Sequence, residues 1–220
     1  MQNRLQIKIE TNSNIFTIEK GQLKVLLEKR KNEPFKGYWA LPTKLLEENI
    51  SLEDNNKKCI IEKIGNFDFN FFQTHTFSDV DRIIDQRVIS TSFIGTIDNI
   101  TINLKQDQID EDEYKWFYIN QLPKIAYDHE KIINFNIGKI KEKIINSDFL
   151  KRFYPSDFTL PELQLVYEDI LKIEIDRRNF RKKLINMDMI EDTGYKNDGG
   201  NGRPAKLYRF KENNTQKNLF

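Results

Sequence analysis

Through the first 120 residues, apolar positions fall mostly in short alternations and runs broken by turn residues, the pattern of strands. Leu5 to Ile9 alternates apolar and polar residues as a half-buried strand does. Ile15 to Ile18 and Leu23 to Leu27 flank Glu19-Lys20-Gly21-Gln22 and predict a hairpin. Beyond Gly37-Tyr38-Trp39-Ala40-Leu41-Pro42, a helix is predicted from Ser51 to about Ile64. Ser51 would cap it, Glu53 and Asp54 would complement its dipole, and Gly65 would stop it. Val88 to Ile94 and Tyr114 to Tyr118 read as strands, and isoleucines at helical spacing from Lys131 to Ile145 predict the helix that closes this first part.

A second pattern begins near Phe153. Thr159-Leu160-Pro161-Glu162 has the form of a capping box, with Phe158 and Leu163 at staple positions and Pro161 where the first turn tolerates it. Leu160, Leu163, Val166, Tyr167 and Ile170 then share one helical face. A second helix is predicted from its cap Asp176 to about Met187, with Phe180, Leu184 and Met187 as its buried stripe. Met189 to Thr193 and Lys206 to Phe210 read as strands joined by Asn197-Asp198-Gly199-Gly200-Asn201-Gly202. Helix, short turn, helix and Gly-rich hairpin is the order of a winged helix-turn-helix. Only the Asn-rich tail after Lys211 reads as loosely structured.

With 38% hydrophobic and 31% charged residues, the 220-residue chain has the make-up of a soluble globular protein of one large or two small domains. No apolar run approaches the roughly 20 residues of a membrane span, and the N-terminus lacks a signal peptide's apolar core. One cysteine, Cys59, excludes a disulfide framework and makes a cytoplasmic location the expectation. Cys59, His75 and His129 cannot form a structural zinc site by themselves. Charge is unevenly placed. Residues 1–150 carry 21 Lys and Arg against 23 Asp and Glu, whereas residues 172–211 carry 11 against 6. A basic block at one end of a neutral chain suits a polyanionic partner.

That block coincides with the second helix of the C-terminal pattern. Around the Phe180 stripe, Arg178, Arg181 and Lys182 occupy the far side and Arg177, Asn179 and Lys183 the flanks. Such a helix suits the major groove, where arginine matches guanine, asparagine matches adenine, and other cations take phosphates. Thr159 at the first helix, and Arg203 and Lys206 in the hairpin, complete the candidate DNA-binding set. Taken alone, a basic helix is as readily an ordinary solvated surface; the capped first helix and basic wing add the specificity.

The N-terminal part resembles a Nudix protein. Val25 to Arg30, Asn32-Glu33-Pro34-Phe35 and Gly37 to Pro42 are similar to the approach to a Nudix box, GX5EX7REUXEEXGU. Laid on without gaps, the first glycine of the box falls on Lys44 and its first glutamate on Ile50. The REUXEE core falls on Lys58-Cys59-Ile60-Ile61-Glu62-Lys63, and Gly65 matches the late glycine while Asn66 takes the apolar position. Of the core glutamates only Glu62 remains. Magnesium needs several hard oxygen ligands, so the site is expected to be inactive and to hold no metal or other cofactor.

The whole chain, from about residue 10 to 211, resembles the Nudix-related transcriptional regulators, in which a Nudix-like sensor is fused to a winged helix. Similar stretches include 76–82, 87–90, Trp116-Phe117, Leu122-Pro123 and 126–129, and most specifically 158–164, 176–184 and 202–208. The resemblance implies an α/β (α+β) Nudix-like sandwich domain followed by a small winged helix-turn-helix domain, with bounds 1–148, 149–211 and a tail 212–220. It also implies repression of NAD-biosynthesis genes, a homodimer on a palindromic double-stranded DNA operator, and an ADP-ribose or related nucleotide effector. For that effector, Trp39 is a candidate stacking residue. Arg30, Arg82 and Arg87 are candidates to neutralise a diphosphate, and Asp79 and Asp128 to hold a ribose. Each of these has an ordinary alternative, in the core for Trp39 and in surface ion pairs for the rest. His129 reads as a structural hydrogen-bonder and Cys59 as a small buried residue. Two other functions stay open: a Nudix-type ADP-ribose diphosphatase with a regulatory domain, and a sugar-responsive regulator of a catabolic operon.

Overall fold

Asn12 and Asn14 stand fully buried in mid-strand, and the first sheet is organised around them. In the computed structural model, which describes residues 6–66, 70–83, 86–104, 109–147, 149–154, 157–198 and 204–211, β1 runs unbroken from Ile7 to Glu19. Two separate strands had been expected over this stretch. Polar residues 10–14 hide the strand from an alternation rule, because they are buried against other polar groups rather than facing water.

β1 pairs in parallel with β6 (Arg87–Thr96), from Ile7 opposite Arg87 to Phe16 opposite Thr96. Across that register Asn12 Nδ2 donates to Ser90 Oγ at 2.7 Å, and Asn14 Nδ2 to Ser92 Oγ at 3.0 Å. Asn136 Nδ2 reaches the same Ser92 hydroxyl at 2.7 Å. The amide donors of these buried side chains are thus satisfied, while Asn14 Oδ1 has no hydrogen-bond partner among the described residues.

The remaining strands follow as β2 (Gln22–Lys29), β3 (Trp39–Ala40), β4 (Thr43–Leu45), β5 (Asn70–Phe77) and β7 (Tyr114–Tyr118). The main order is β3-β2-β1-β6-β5, with β4 on β1 and β7 on β2. The predicted hairpin is the β1–β2 connection. β5 was not anticipated: its pairing with β6 shifts register between Gln73 and His75, which breaks the period-two pattern.

α1 (Leu52–Ile64) begins at Ser51, whose side chain accepts from Asp54 N–H at 3.0 Å, and ends at Gly65 with φ of 93°. That left-handed geometry favours glycine. Cys59, Ile60 and Ile64 are buried on α1; Ile60 and Ile64 join Ile15, Leu26, Ile97 and Tyr114 in one apolar cluster. A short α2 (Asn99–Leu104) was also unanticipated; Asp98 anchors its start by accepting from Thr101 N–H at 2.8 Å. α3 spans His129–Asn146, slightly longer than its isoleucine pattern.

The chain divides into two compact units, Met1–Thr17 with Lys24–Asn136 and Ile18–Leu23 with Ile137–Phe220. In the second, a short 3-10 helix (Phe149–Phe153) leads to β8 (Phe158–Thr159), α4 (Leu160–Leu171), α5 (Arg177–Asn186), β9 (Ile190–Lys196) and β10 (Lys206–Phe210). The strands form a small sheet in the order β8-β10-β9. Thr159 caps α4 in the expected box, its backbone N–H donating to Glu162 at 2.7 Å. Tyr167 on α4 meets Phe180 on α5 with ring centroids 5.4 Å apart, the centre of this small core. Phe180 and Leu184 form the buried stripe of α5; Met187, expected there too, is its half-exposed C-cap. Among the described residues, no helix is long and apolar enough to cross a membrane.

Candidate functional site

In the first unit, the ends of β1, β2 and β6, the segment after β3, α1 and the residues before α3 enclose a cleft of about 390 Å³. Its wall carries five cationic side chains, Lys8, Lys29, Arg30, Lys31 and Lys63, against two carboxylates, Glu10 and Glu28. Arg30 is fixed within it. Its Nε donates to the Pro34 carbonyl at 2.9 Å, and its guanidinium lies 4.7 Å from the centroid of the Tyr127 ring. Tyr127 adopts φ of 58°, a left-handed conformation that helps turn the chain toward the cleft.

Beside Tyr127, His129 is buried and accepts the Leu41 N–H on Nδ1 at 3.0 Å. Burial, reinforced by the charges of Arg82 and Arg30, holds its imidazole pKa down to about 3. The ring is therefore neutral near pH 7, and with Nδ1 accepting, its proton is carried on Nε2. Glu10 sits deeper, with burial pushing its carboxyl above the ordinary range against the opposing pull of Ser90 and Arg82.

Of the six residues expected to contact an effector, Arg30 reaches the cleft wall. Arg82 is instead buried and held by both oxygens of Asp128, at 3.0 Å each, and by Glu10 at 3.3 Å. Its charge is thereby committed to the fold, as is that of Asp128. Arg87 donates to the Ser78 and Asp79 carbonyls at 2.8 and 2.9 Å. The Asp79 carboxylate pairs with Lys131 at 2.6 Å on the surface. Trp39 packs edge-on against Phe117, centroids 4.8 Å apart, with Lys29 Nζ 5.8 Å from its ring. Glu10, Tyr127 and Lys63 also line the cleft and carry no local sequence signal for it, because the partners that bring them there are remote in sequence.

The box helix is α1; Glu62 on it, and Glu28 and Glu47 beside it, are paired with lysines. Lys63 Nζ lies 2.6 Å from Glu28, and Lys44 Nζ lies 2.7 Å from Glu62 and 3.2 Å from Glu47. Lys58 also pairs with Glu47, at 2.8 Å. Burial pushes the Cys59 thiol up to about 12, which keeps it protonated and unsuited to a metal. The magnesium that a Nudix box implies does not fit these residues. Among the described residues, no group of three His, Cys, Asp or Glu is placed to hold a metal ion.

In the second unit, α5 presents Arg177, Arg178, Asn179, Arg181, Lys182 and Lys183 on its exposed side. Asp176 caps it by accepting the Asn179 N–H at 2.9 Å. Among the described residues Arg177, Arg178, Arg181 and Lys182 form no ion pair, while neighbouring cations do: Lys206 with Asp192 at 2.6 Å and Arg209 with Asp157 at 2.8 Å. A groove of about 240 Å³ runs beside the helix, lined by Pro161, Gln164, Arg177, Arg181, Lys206 and Tyr208. The Thr159 hydroxyl is buried and engaged with Glu162 at 2.8 Å. Arg203 and Gly199 to Gly202 of the hairpin lie outside the described residues, as does the tail after Lys211.

A basic cleft in one unit and a cation-faced second helix with a wing in the other define a ligand-sensing class of DNA-binding regulator. Residues 142–210 match the NrtR DNA-binding winged helix domain. The chain is 32% identical over 203 residues to the ADPR responsive transcriptional repressor NtrR of Acinetobacter baylyi, covering 89% of this chain and 79% of that one. NrtR of Shewanella oneidensis, solved in complex with a 27mer DNA, superposes with a TM-score of 0.78 at 29% identity, over 92% of this chain and 93% of that one. Its NUDIX domain, solved with ADP ribose, gives 0.51 at 25% identity, over 64% and 90%. An ADP-ribose pyrophosphatase of Methanocaldococcus jannaschii is 41% identical over 116 residues, 53% of this chain and 66% of that one. The chain belongs to the NrtR family of Nudix-related transcriptional regulators.

Proposed function

We propose that this protein represses transcription of NAD-biosynthesis genes by binding a palindromic operator as a homodimer, and that ADP-ribose in the basic cleft releases it. The observation that carries the DNA half is α5: among the described residues, Arg177, Arg178, Arg181 and Lys182 on its exposed side form no ion pair, while Lys206 and Arg209 nearby are each paired with an aspartate. Arg178 and Arg181 then read base edges. Arg177, Asn179, Lys182 and Lys183 follow the backbone, joined by Lys206 when a phosphate replaces its Asp192 partner, and a homodimer gives each half-site one such helix. Sensing falls to residues 1–148 and reading to 149–211.

The effector half rests on the cationic excess of the cleft wall and on the ADP-ribose recognition named for relatives in both comparisons. Arg30 and its neighbouring lysines neutralise the diphosphate. The neutral Nε2–H of His129 and the Glu10 carboxyl serve as donor and acceptor for hydroxyls. A neutral sugar would make no use of that charge. Hydrolysis is not part of this function: Glu28, Glu47 and Glu62, the carboxylates nearest the box core, are each paired with lysine, which leaves a metal no ready oxygen ligands there. The pyrophosphatase relative keeps the enzymatic reading worth a direct assay.

The deciding experiment titrates ADP-ribose into a complex with the chain's own operator, followed by anisotropy. Release by ADP-ribose but not by ribose 5-phosphate is expected, and reciprocally the operator must weaken ADP-ribose binding by the same factor. Failure of ADP-ribose either to bind or to release would discard this effector. Turnover to AMP, abolished by Glu62→Gln, would restore the enzyme reading.

A further inference from the structure

We propose that the Lys63 ammonium takes the place of the divalent cation in this cleft, so that a diphosphate-bearing ligand binds without metal. The inference rests on the reading of the cleft as a nucleotide-effector site and adds how the ligand's charge is met. Lys63 belongs to the last turn of α1 and reaches the cleft wall, where its Nζ lies 2.6 Å from Glu28. The two side chains are 21% and 28% exposed, so the pair is neither deep in the core nor freely solvated. An ammonium has three donors, and the bond to Glu28 uses one. The others can serve a ligand oxygen at no cost in proton release or metal dehydration.

The surroundings favour the same arrangement. Lys8, Lys29, Arg30 and Lys31 leave the wall with three more cations than carboxylates once Lys63, Glu28 and Glu10 are included, and with two more once the pairing of Lys31 with Glu113 is counted. A diphosphate would find its counter-charge already in place. A magnesium ion would find the reverse: it needs several hard oxygens in near-octahedral array. Here Glu28 is taken by Lys63, and Glu62 and Glu47 share Lys44 and Lys58. Entry of the ion would have to expel an ammonium group and then sit beside it. What one protein achieves with a bound cation, this cleft achieves with a side chain on the same helix.

The test is calorimetry of the full chain with ADP-ribose, in EDTA and in magnesium. Affinities within about threefold of each other are expected. Lys63→Gln should weaken binding at least tenfold in both buffers, and Lys63→Arg, which keeps the cation, should retain most of it. Lys63→Glu should lose binding in EDTA and regain part of it with magnesium, while magnesium also raises its melting temperature and leaves that of the parent unchanged. Cooperative melting of each variant establishes that it is folded. A parent that needs magnesium, or a folded Lys63→Gln that binds like the parent, overturns the proposal and leaves the effector reading standing. A parent that binds no ADP-ribose in either buffer removes the effector reading instead. Inorganic pyrophosphate then decides the lysine: stabilisation in EDTA that Lys63→Gln loses upholds it, and no stabilisation overturns it.

Discussion

Gln164 and Ile175 are joined across the turn between α4 and α5, Gln164 Nε2 donating to the Ile175 carbonyl at 2.9 Å. Glu168, one helical turn beyond Gln164, accepts from the same amide group and from the Ile175 N–H, both at 2.9 Å. Both backbone groups of the residue just before the α5 cap are thus tied to α4. Two side chains of α4 hold the turn, beside the left-handed Lys172 whose N–H bonds the Glu168 carbonyl at 2.9 Å.

Removing this tie should blur recognition more than it weakens attraction. Glu168→Ala leaves a half-buried N–H without its partner, a loss of about 1–3 kcal/mol in stability. The affinity for a specific operator is expected to fall more than that for random duplex, measured side by side by anisotropy. Equal losses on both duplexes would mean that the tie does not orient the helix.

Arg178→Ala and Arg181→Ala should each cost about 1–3 kcal/mol of operator binding, concentrated at one base position. Lys182→Ala should act uniformly across sequences and reduce the salt slope by about 1. Binding by both arginine variants equal to the parent, in a base-by-base operator scan, would assign reading to another element.

Ser92 accepts two buried amides, from Asn14 and Asn136. Asn14 Nδ2 keeps a second acceptor, Asn12 Oδ1 at 2.9 Å, so Ser92→Ala should destabilise the first unit by about 1–3 kcal/mol, mainly through the Asn136 amide, read from denaturant midpoints. A change below about 0.5 kcal/mol would show that water or a rearranged asparagine takes the place of the hydroxyl.

His129 gives the fold an acid sensitivity. An unfolded chain protonates this imidazole near its ordinary value of about 6.5, whereas the folded one does so only near 3. Between these values the unfolded state binds more protons, so stability rises with pH through the window. The contribution is complete above about 6.5 and is lost as pH falls toward 3. Melting temperature against pH should be flatter in His129→Gln than in the parent; identical slopes would mean that the ring does not report this difference.

The features most legible in sequence were those made by neighbours. Ser51 with Asp54, Thr159 with Glu162 and Asp176 with Asn179 each lie three residues apart, so the helix starts followed from local chemistry. The α5 surface followed from its period around Phe180 and Leu184. What stayed hidden was made by distant partners. Arg82 and Asp128 are 46 residues apart and Lys63 and Glu28 are 35 apart, so charges expected to meet an effector were committed to each other, and a cleft lysine passed as a mere departure from a motif. The polar stretch of β1 was concealed for the same reason, since its partners in β6 lie 78 residues on.

Arg177 and Arg178 occupy the first turn of α5, which contains no acidic residue. The helix dipole is positive there, so both side chains stand at the end that disfavours them, and Arg181 and Lys182 crowd the next turn. Asp176 offsets only part of this. On the proposed reading of α5, a polyanion relieves this crowding of charge, and dissolved salt acts on the free and bound helix in opposite senses. Ions that screen the helix steady the unbound domain, and the same ions, by competing for phosphates, loosen its grip on DNA.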